Sequence, residues 1–260
     1  MNVTPTAHYP TLKGRVAIVT GGGQALGRAY AHHLAAQGAV PVIAEFNEAA
    51  GARVAKEIAD GGGTSLFVPT DVGSPQAVAA MAEAVLARFG RIDILVNNAA
   101  LFSKITMKPF WELPVEEWER AMDVNVTGAF HCARAVVPAM QKAGWGRILN
   151  VASGTPLLGL PNYLHYITSK SAQFGMTRSM ARELGPWNIT VNTFIPGVTR
   201  TEVERPSVSE EKFKSYVAMQ CLKRMSTPDD MAKVVTFLCS DEAAWITGQT
   251  ILVDGGLNFV

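Results

Sequence analysis

Charge of one sign is missing from this sequence: 23 basic residues almost cancel 22 acidic ones across 260 positions. No general field is available to gather polyanions, so nucleic acid is not an expected partner. Cysteine is scarce as well. Cys132, Cys221 and Cys239 are odd in number, far apart and without CxxC spacing, which argues against a disulfide framework or a zinc site and fits a reducing, cytoplasmic setting. No apolar run approaches the ~18 residues of a membrane-spanning helix, so no membrane partner is expected. Residues 1–12, with Pro5, Pro10 and several threonines, show neither the basic start nor the apolar stretch of a signal peptide and read as a loose arm. Residues 13–260 carry no repeat, low-complexity block or linker, and are expected to form a single soluble domain.

What is present is an alternation. Short β-branched runs at 15–20, 40–45, 64–68, 92–97, 147–151, 190–195 and 250–254 each have the size of a buried strand. Alanine-rich segments such as 29–37, 49–59 and 76–89 carry helical spacing between them. Strand and helix alternating in this way predict parallel βαβ units wound on both faces of a sheet. Thr227-Pro228-Asp229-Asp230 offers a hydroxyl cap, a first-turn proline and an acid at the third helical position, and Ser74-Pro75 looks like another such start. Pro41 cannot donate to a ladder, which puts it at the beginning of its strand.

The first strand runs straight into Thr20-Gly21-Gly22-Gly23-Gln24-Ala25-Leu26-Gly27 and then a helix. Backbone N–H groups and the positive end of that helix would meet a dinucleotide pyrophosphate there. The spacing is not GxGxxG, and three glycines after a strand also suit a tight turn. Glu45 closes the second strand, the place where an acid accepts from the adenosine ribose hydroxyls in NAD-binding folds, although a solvated carboxylate would look the same. Asp71-Val72 close the third strand and Asn97-Asn98-Ala99 the fourth. Each could be a turn, but together they line the carboxyl edge, where open α/β sheets bind ligands.

Tyr166 and Lys170 lie four apart in the helical stretch 165–184, so they share a face. An isolated pair of this kind equally suits an amphipathic helix with a surface lysine. Ser153 follows the fifth strand and emerges at the same edge, as a reactive hydroxyl or as a turn residue. Asn125, in Met122-Asp123-Val124-Asn125-Val126, is a mediocre helix former in a helical stretch: either a tolerated polar residue or, facing inward, one that holds a water and perturbs the helix.

From residue 14 to residue 256 the chain resembles the short-chain dehydrogenase/reductase family. The resemblance is carried by 20–27, Asp71, Asn97-Asn98-Ala99, Asn125, Ser153, Tyr166-Ile167-Thr168-Ser169-Lys170, Pro196-Gly197 with Thr201, and Asp254-Gly255-Gly256. It implies a doubly wound, Rossmann-like α/β fold with seven parallel strands, and a catalytic tetrad of Asn125, Ser153, Tyr166 and Lys170. It also implies contacts to NAD from Gly21, Gln24, Leu26, Gly27, Glu45, Asp71, Val72, Asn98, Ala99, Tyr166, Lys170, Pro196, Gly197, Thr199 and Thr201. Tyr166 as phenolate would take the alcohol proton and NAD the hydride, because a free phenol, titrating near ~10, is a poor base until nearby cations stabilise its anion. Ser153 would bond the substrate oxygen, and Asn125 would hold a water that passes the proton on from Lys170. Ala25 and Ala100 stand where this family usually has glycine, which predicts weakened or slightly shifted cofactor binding.

The substrate pocket is expected from Phe102, Ser153, Thr155, Leu158 and Tyr163, with Leu101, Leu157, Leu160 and Met219 adding apolar surface and 202–222 acting as a lid. Leu157 to Leu160 would equally suit packing between subunits. A homotetramer is expected, built on helices near 115–142 and 165–184. Segments 144–147, 165–170 and 245–249 look similar to aryl-alcohol (1-phenylethanol-type) and pyridoxal dehydrogenases of the family. The expected substrate is therefore a small alcohol or ketone on an apolar aromatic or cyclic frame. A 3-oxoacyl-carrier-protein reductase is the alternative, and a nucleotide-sensing protein without turnover is the alternative of another class. Glu45, with neutral Gln24 and with Arg28 as the nearest basic residue, predicts NAD over NADP.

Overall fold

A computed structural model of the chain describes residues 7–102, 105–203 and 209–259. The β-branched runs form β1 (Val16–Thr20), β2 (Val40–Glu45), β3 (Leu66–Pro69), β4 (Ile94–Asn97), β5 (Gly146–Val151), β6 (Ile189–Pro196) and β7 (Thr250–Val253). All pair in parallel, in the order β3-β2-β1-β4-β5-β6-β7. The order reverses between β1 and β4, and the crevice at such a switch point is where doubly wound sheets take their ligands.

Parallel strands covered on both faces must be apolar on both. Ile18, Leu95 and Ile148 accordingly pack toward one face, with Val136 and Met140, while Ala17, Val19, Val96 and Leu149 pack toward the other, with Leu34 and Val235. The covering helices are α1 (Ala25–Ala36), α2 (Glu48–Asp60), α3 (Pro75–Phe89), α4 (Val115–Met122), α5 (Gly128–Ala143), the short α6 (Thr155–Leu158), α7 (Leu164–Leu184), α8 (Glu210–Met219) and α9 (Pro228–Cys239). Ser74 caps α3 by accepting from the Ala77 N–H, and Thr227 and Asp230 close a reciprocal capping box on α9. α1 begins four residues before the expected 29, because the glycine loop passes directly into the helix through residues with little apolar signal. Pro41 is second in β2, where the pairing to β3 has not begun: that register starts at Val42.

The expectation of a loose arm over 1–12 needs correction for its described part. Leu12 is fully buried in a 3-10 turn, Pro10–Leu12. Tyr9 packs on Phe237 and its N–H donates to Gln37, whose own amide donates to the Ala7 carbonyl. Apolar burial thus reaches further toward the N-terminus than periodicity shows. Residues 1–6 of that arm, and 204–208 of the expected lid, lie outside the described residues. Among the described residues no helix is long and apolar enough to cross a membrane.

Candidate active site

Thr20 ends β1 with its hydroxyl turned to the neighbouring strand. Its Oγ1 donates to the Val96 carbonyl and accepts from the N–H groups of Asn98 and Ala99. The Asn98 amide in turn donates to the carbonyls of Thr20 and Gly21 at 2.9 and 3.1 Å. These bonds fuse the loops after β1 and β4 into one floor. Glycine is required in it: a Cβ on Gly27 would stand 2.1 Å from the Gly21 carbonyl oxygen, and Gly21 has a φ of +63° with no room for a side chain against Ala99. Ala25, by contrast, holds a φ of +48°, a left-handed backbone that favours glycine. Gln24 is the residue before α1, whose first turn carries no acid; instead the Glu202 carboxylate accepts from the Ala25 N–H at 2.9 Å.

Glu45 stands at the tip of β2. Its carboxylate accepts from the Gly23 N–H at 3.1 Å and from the Asn47 N–H at 3.0 Å. Arg28 bonds Glu57 at 2.8 Å, away from Glu45. Sequence reading missed another cation here: Arg53 donates to the Gly23 carbonyl at 2.9 Å, one helical face away from any motif that would have flagged it. After β3, the Asp71 carboxylate accepts from the Gly73 N–H, beside buried Val72. After β6, Thr199 bonds the Gly197 carbonyl and Ser226, and the Thr201 hydroxyl accepts from the Val203 N–H.

Tyr166 and Lys170 lie one turn apart on α7, both buried. The Tyr166 ring is flanked by Phe102 and Tyr163, with centroids at 5.0 and 4.9 Å. Lys170 Nζ donates to the Val151 carbonyl at 2.8 Å, and burial pulls its ammonium down to about 8. Ser153 Oγ accepts from both the N–H and the hydroxyl of Thr155, so its own proton is what it can offer outward. Asn125 sits in a π-turn, Asp123–Thr127, between α4 and α5, which is the helix perturbation its position predicted. Its side chain accepts from the Leu101 N–H at 2.7 Å and donates to the Leu101 carbonyl and Ser169 Oγ, while its carbonyl accepts from Gln173 at 2.6 Å.

One cleft of about 730 Å³ gathers these groups. It is bordered by all the residues expected to touch NAD and by Phe102, Ser153, Thr155, Leu158 and Tyr163. Asn125 is the exception. It lies behind the wall and braces it. Leu157 and Met219 also differ from expectation: they are exposed and do not border the cleft. Leu157 turns outward on the short α6, and Met219 ends α8 on its solvent side. Lys212 and Tyr216 reach the cleft from the segment expected as the lid, while Met107, Arg120, Leu257 and Asn258 border it without having been singled out. The segment Asp254-Gly255-Gly256 was the one available signal, since it brings Leu257 and Asn258 to the wall.

With this geometry in hand, a family model described as enoyl-(acyl carrier protein) reductase matches residues 21–258. A probable galactose dehydrogenase of Rhizobium meliloti is 37% identical over 97% of this chain and 98% of that protein. A 7alpha-hydroxysteroid dehydrogenase of Escherichia coli is 35% identical over 94% of each. The chain belongs to the short-chain dehydrogenase/reductase family. A third member, the 3-oxoacyl-[acyl-carrier-protein] reductase of Vibrio cholerae, is 34% identical over 96% of this chain and 99% of that protein. As a short-chain dehydrogenase/reductase, the protein is an oxidoreductase of a family whose members use NAD or NADP. The site suits such a dinucleotide on its own geometry: the loop packs so tightly on itself that only glycine fits at 21 and 27, both of which border the cleft, and an anionic oxygen of Glu202 already sits on an N–H of the loop.

Proposed function

We propose that the protein is an NAD-dependent alcohol dehydrogenase or ketone reductase acting on a secondary alcohol, or its ketone, on an apolar aromatic or cyclic frame. One observation carries this reading: Tyr166, Lys170 and Ser153 border the same cleft as Glu45 and the glycine loop. The bound nicotinamide supplies the hydride acceptor or donor. Tyr166 takes or returns the carbinol proton, and the ammonium of Lys170, one turn away, favours its anionic form. Ser153 donates to the substrate oxygen as charge develops on it, with Thr155 fixing the direction of that donation. Asn125 holds Leu101 and Ser169 in place and so positions both walls of the cleft.

Phe102, Met107, Leu158, Leu160 and Tyr163 supply the apolar side of the substrate end. Relatives named as dehydrogenases of galactose and of a 7alpha-hydroxysteroid support an alcohol on a ring. The described parts of the expected lid, 202–203 and 209–222, serve that role, since Val203, Lys212 and Tyr216 border the cleft. Exposed Phe110 and Trp111, together with Val115 and Phe130, support a homotetramer built on α4 and α5 with α7. Free cysteines, of which Cys132 and Cys239 are buried, fit a cytoplasmic setting.

The test is turnover of NAD and NADH with a mixed panel of cyclic and aryl alcohols and ketones. Oxidation of ring alcohols with NAD is expected. Activity confined to NADPH and 3-oxoacyl groups on an acidic carrier protein would overturn the reading in favour of the carrier reductase, and cofactor binding without any turnover would favour a sensor.

A further inference from the structure

We propose that Asn258 is a specificity residue that selects substrates bearing a second hydroxyl close to the reacting carbinol, so that the preferred substrate is a 1,2- or 1,3-hydroxy-alcohol. The inference rests on the alcohol–ketone reading above and narrows its substrate class. It starts from the segment after β7, where Asp254 is 3% exposed and meets four donors. Its Oδ1 accepts from the N–H groups of Gly256 and Leu257 at 3.0 and 3.1 Å. Its Oδ2 accepts from the Asn258 N–H at 2.8 Å and from Asn258 Nδ2 at 2.9 Å.

Those contacts fix which end of the Asn258 amide goes where. A carboxylate oxygen accepts and does not donate, so it takes the amide NH₂; the reversed amide would set two oxygens against each other. The Asn258 carbonyl oxygen is therefore the end left over, and among the described residues nothing donates to it. Asn258 borders the cleft. An oriented acceptor at a cleft wall is matched by a ligand O–H, and an apolar ring carbon in the same place would strip its water without replacing the bond.

The neighbourhood places that hydroxyl on the Ser153 side of the cleft. Asn258 Nδ2 lies 3.7 Å from the point where a Cβ on Gly154 would be, and Gly154 directly follows Ser153. The fixed amide thus stands beside the residue that follows Ser153, and Ser153, Gly154 and Asn258 all border the cleft. Hydroxyls on adjacent or next-but-one carbons span two such anchors. The bracket is also held from behind: the Leu222 N–H donates to the Gly255 carbonyl at 2.9 Å, the Cys221 N–H to the Gly256 carbonyl at 3.3 Å, and Gln220 Nε2 to the Asp254 carbonyl at 3.2 Å. A pre-oriented acceptor discriminates better than a mobile one.

The experiment compares kcat/KM with NAD for cyclohexanol, cis- and trans-cyclohexane-1,2-diol and cyclohexane-1,3-diol, in the parent protein, in Asn258→Leu and in Asn258→Ala. The alanine variant covers the case in which the leucine does not fold. In the parent, one diol should exceed cyclohexanol by about 10-fold, the ordinary worth of one net hydrogen bond. In either variant, that ratio should fall to within about 2-fold of unity. A parent without diol preference, or a preference that survives both variants, overturns the proposal while leaving the alcohol reading intact. No turnover of any alcohol in the set overturns that reading, and the proposal with it.

Discussion

The carboxylate of Glu202, on the segment following β6, accepts a hydrogen bond from the backbone N–H of Ala25 at the start of α1, 177 residues away in the chain. An anionic oxygen therefore sits where the glycine loop would meet dinucleotide phosphates, and two anions do not share one donor at low cost. Glu202→Gln keeps an acceptor of the same size and removes the charge. It should tighten NAD binding by about 3- to 10-fold at low ionic strength, with the gap narrowing as salt screens this exposed pair. Titration calorimetry at two salt concentrations checks it; weaker binding in the variant would show that Glu202 supports the bound cofactor instead.

Ala25 is the second partner in that contact and carries its own consequence. Its φ of +48° places a Cβ-bearing residue in the left-handed region, which costs about 1 kcal/mol relative to glycine. Ala25→Gly should raise Tm by about 2 to 4 °C without loss of NAD affinity. Calorimetry on the variant decides this, and a lower Tm would mean that the helix start gains more from alanine than the backbone loses.

Tyr166→Phe removes one oxygen and keeps the ring between Phe102 and Tyr163. Hydride transfer should fall by about 10²- to 10⁴-fold, the range for loss of a general base, with NAD affinity within a few-fold of the parent. Turnover close to the parent's would move the proton-transfer role to another group.

Lys170 is buried at the cleft wall, and burial holds its ammonium at about 8, below the ordinary lysine value. The unfolded chain then binds more protons than the folded one between pH ~8 and ~10.5, so this group's contribution to stability improves as pH rises through that window. Below it, holding the charge costs on the order of 3 kcal/mol, partly offset by the bond to the Val151 carbonyl. Lys170→Met should therefore be inactive yet more stable than the parent at pH 7, by about 1 to 2 kcal/mol, with the difference shrinking toward pH 10. Denaturant melts of the cofactor-free proteins at pH 7 and 10 test this; a variant less stable at pH 7 would contradict it.

Much of the architecture is readable along the chain because each strand is buried on both faces and so forms a short apolar run, as in Val16–Thr20 and Ile189–Pro196. Ends are less legible where function intervenes. α1 opens inside the glycine loop, and Asn125 hides a π-turn that only its low helix propensity hints at. Asp71, Ser153 and Tyr166 announce themselves by following strands or by spacing. Arg53 and Asn258 do not: one reaches Gly23 from a solvated helix face, and the other depends on a carboxylate four residues earlier in an irregular segment. Side chains placed by tertiary packing alone leave no periodic trace.

Cofactor choice should favour NAD over NADP, because Glu45 is held at the tip of β2 by the N–H groups of Gly23 and Asn47, where a ribose 2′-phosphate would face it with like charge. The two cations that could offset this are already engaged. Arg28 and His32 both bond Glu57, and although burial alone would raise that carboxyl, their hydrogen bonds take it down to about 2. Arg53 donates to the Gly23 carbonyl and lies 3.7 Å from the same Glu57. The kcat/KM for NAD should exceed that for NADP by at least ~10-fold, equivalent to ~1.4 kcal/mol. Glu45→Ala should narrow the ratio by removing the repulsion, and Glu57→Gln should narrow it by a different route, releasing Arg28 to reach a phosphate. Equal efficiency of the parent with both nucleotides would remove Glu45 as the determinant, and a Glu57→Gln variant with parental selectivity would show that Arg28 is out of reach even when freed.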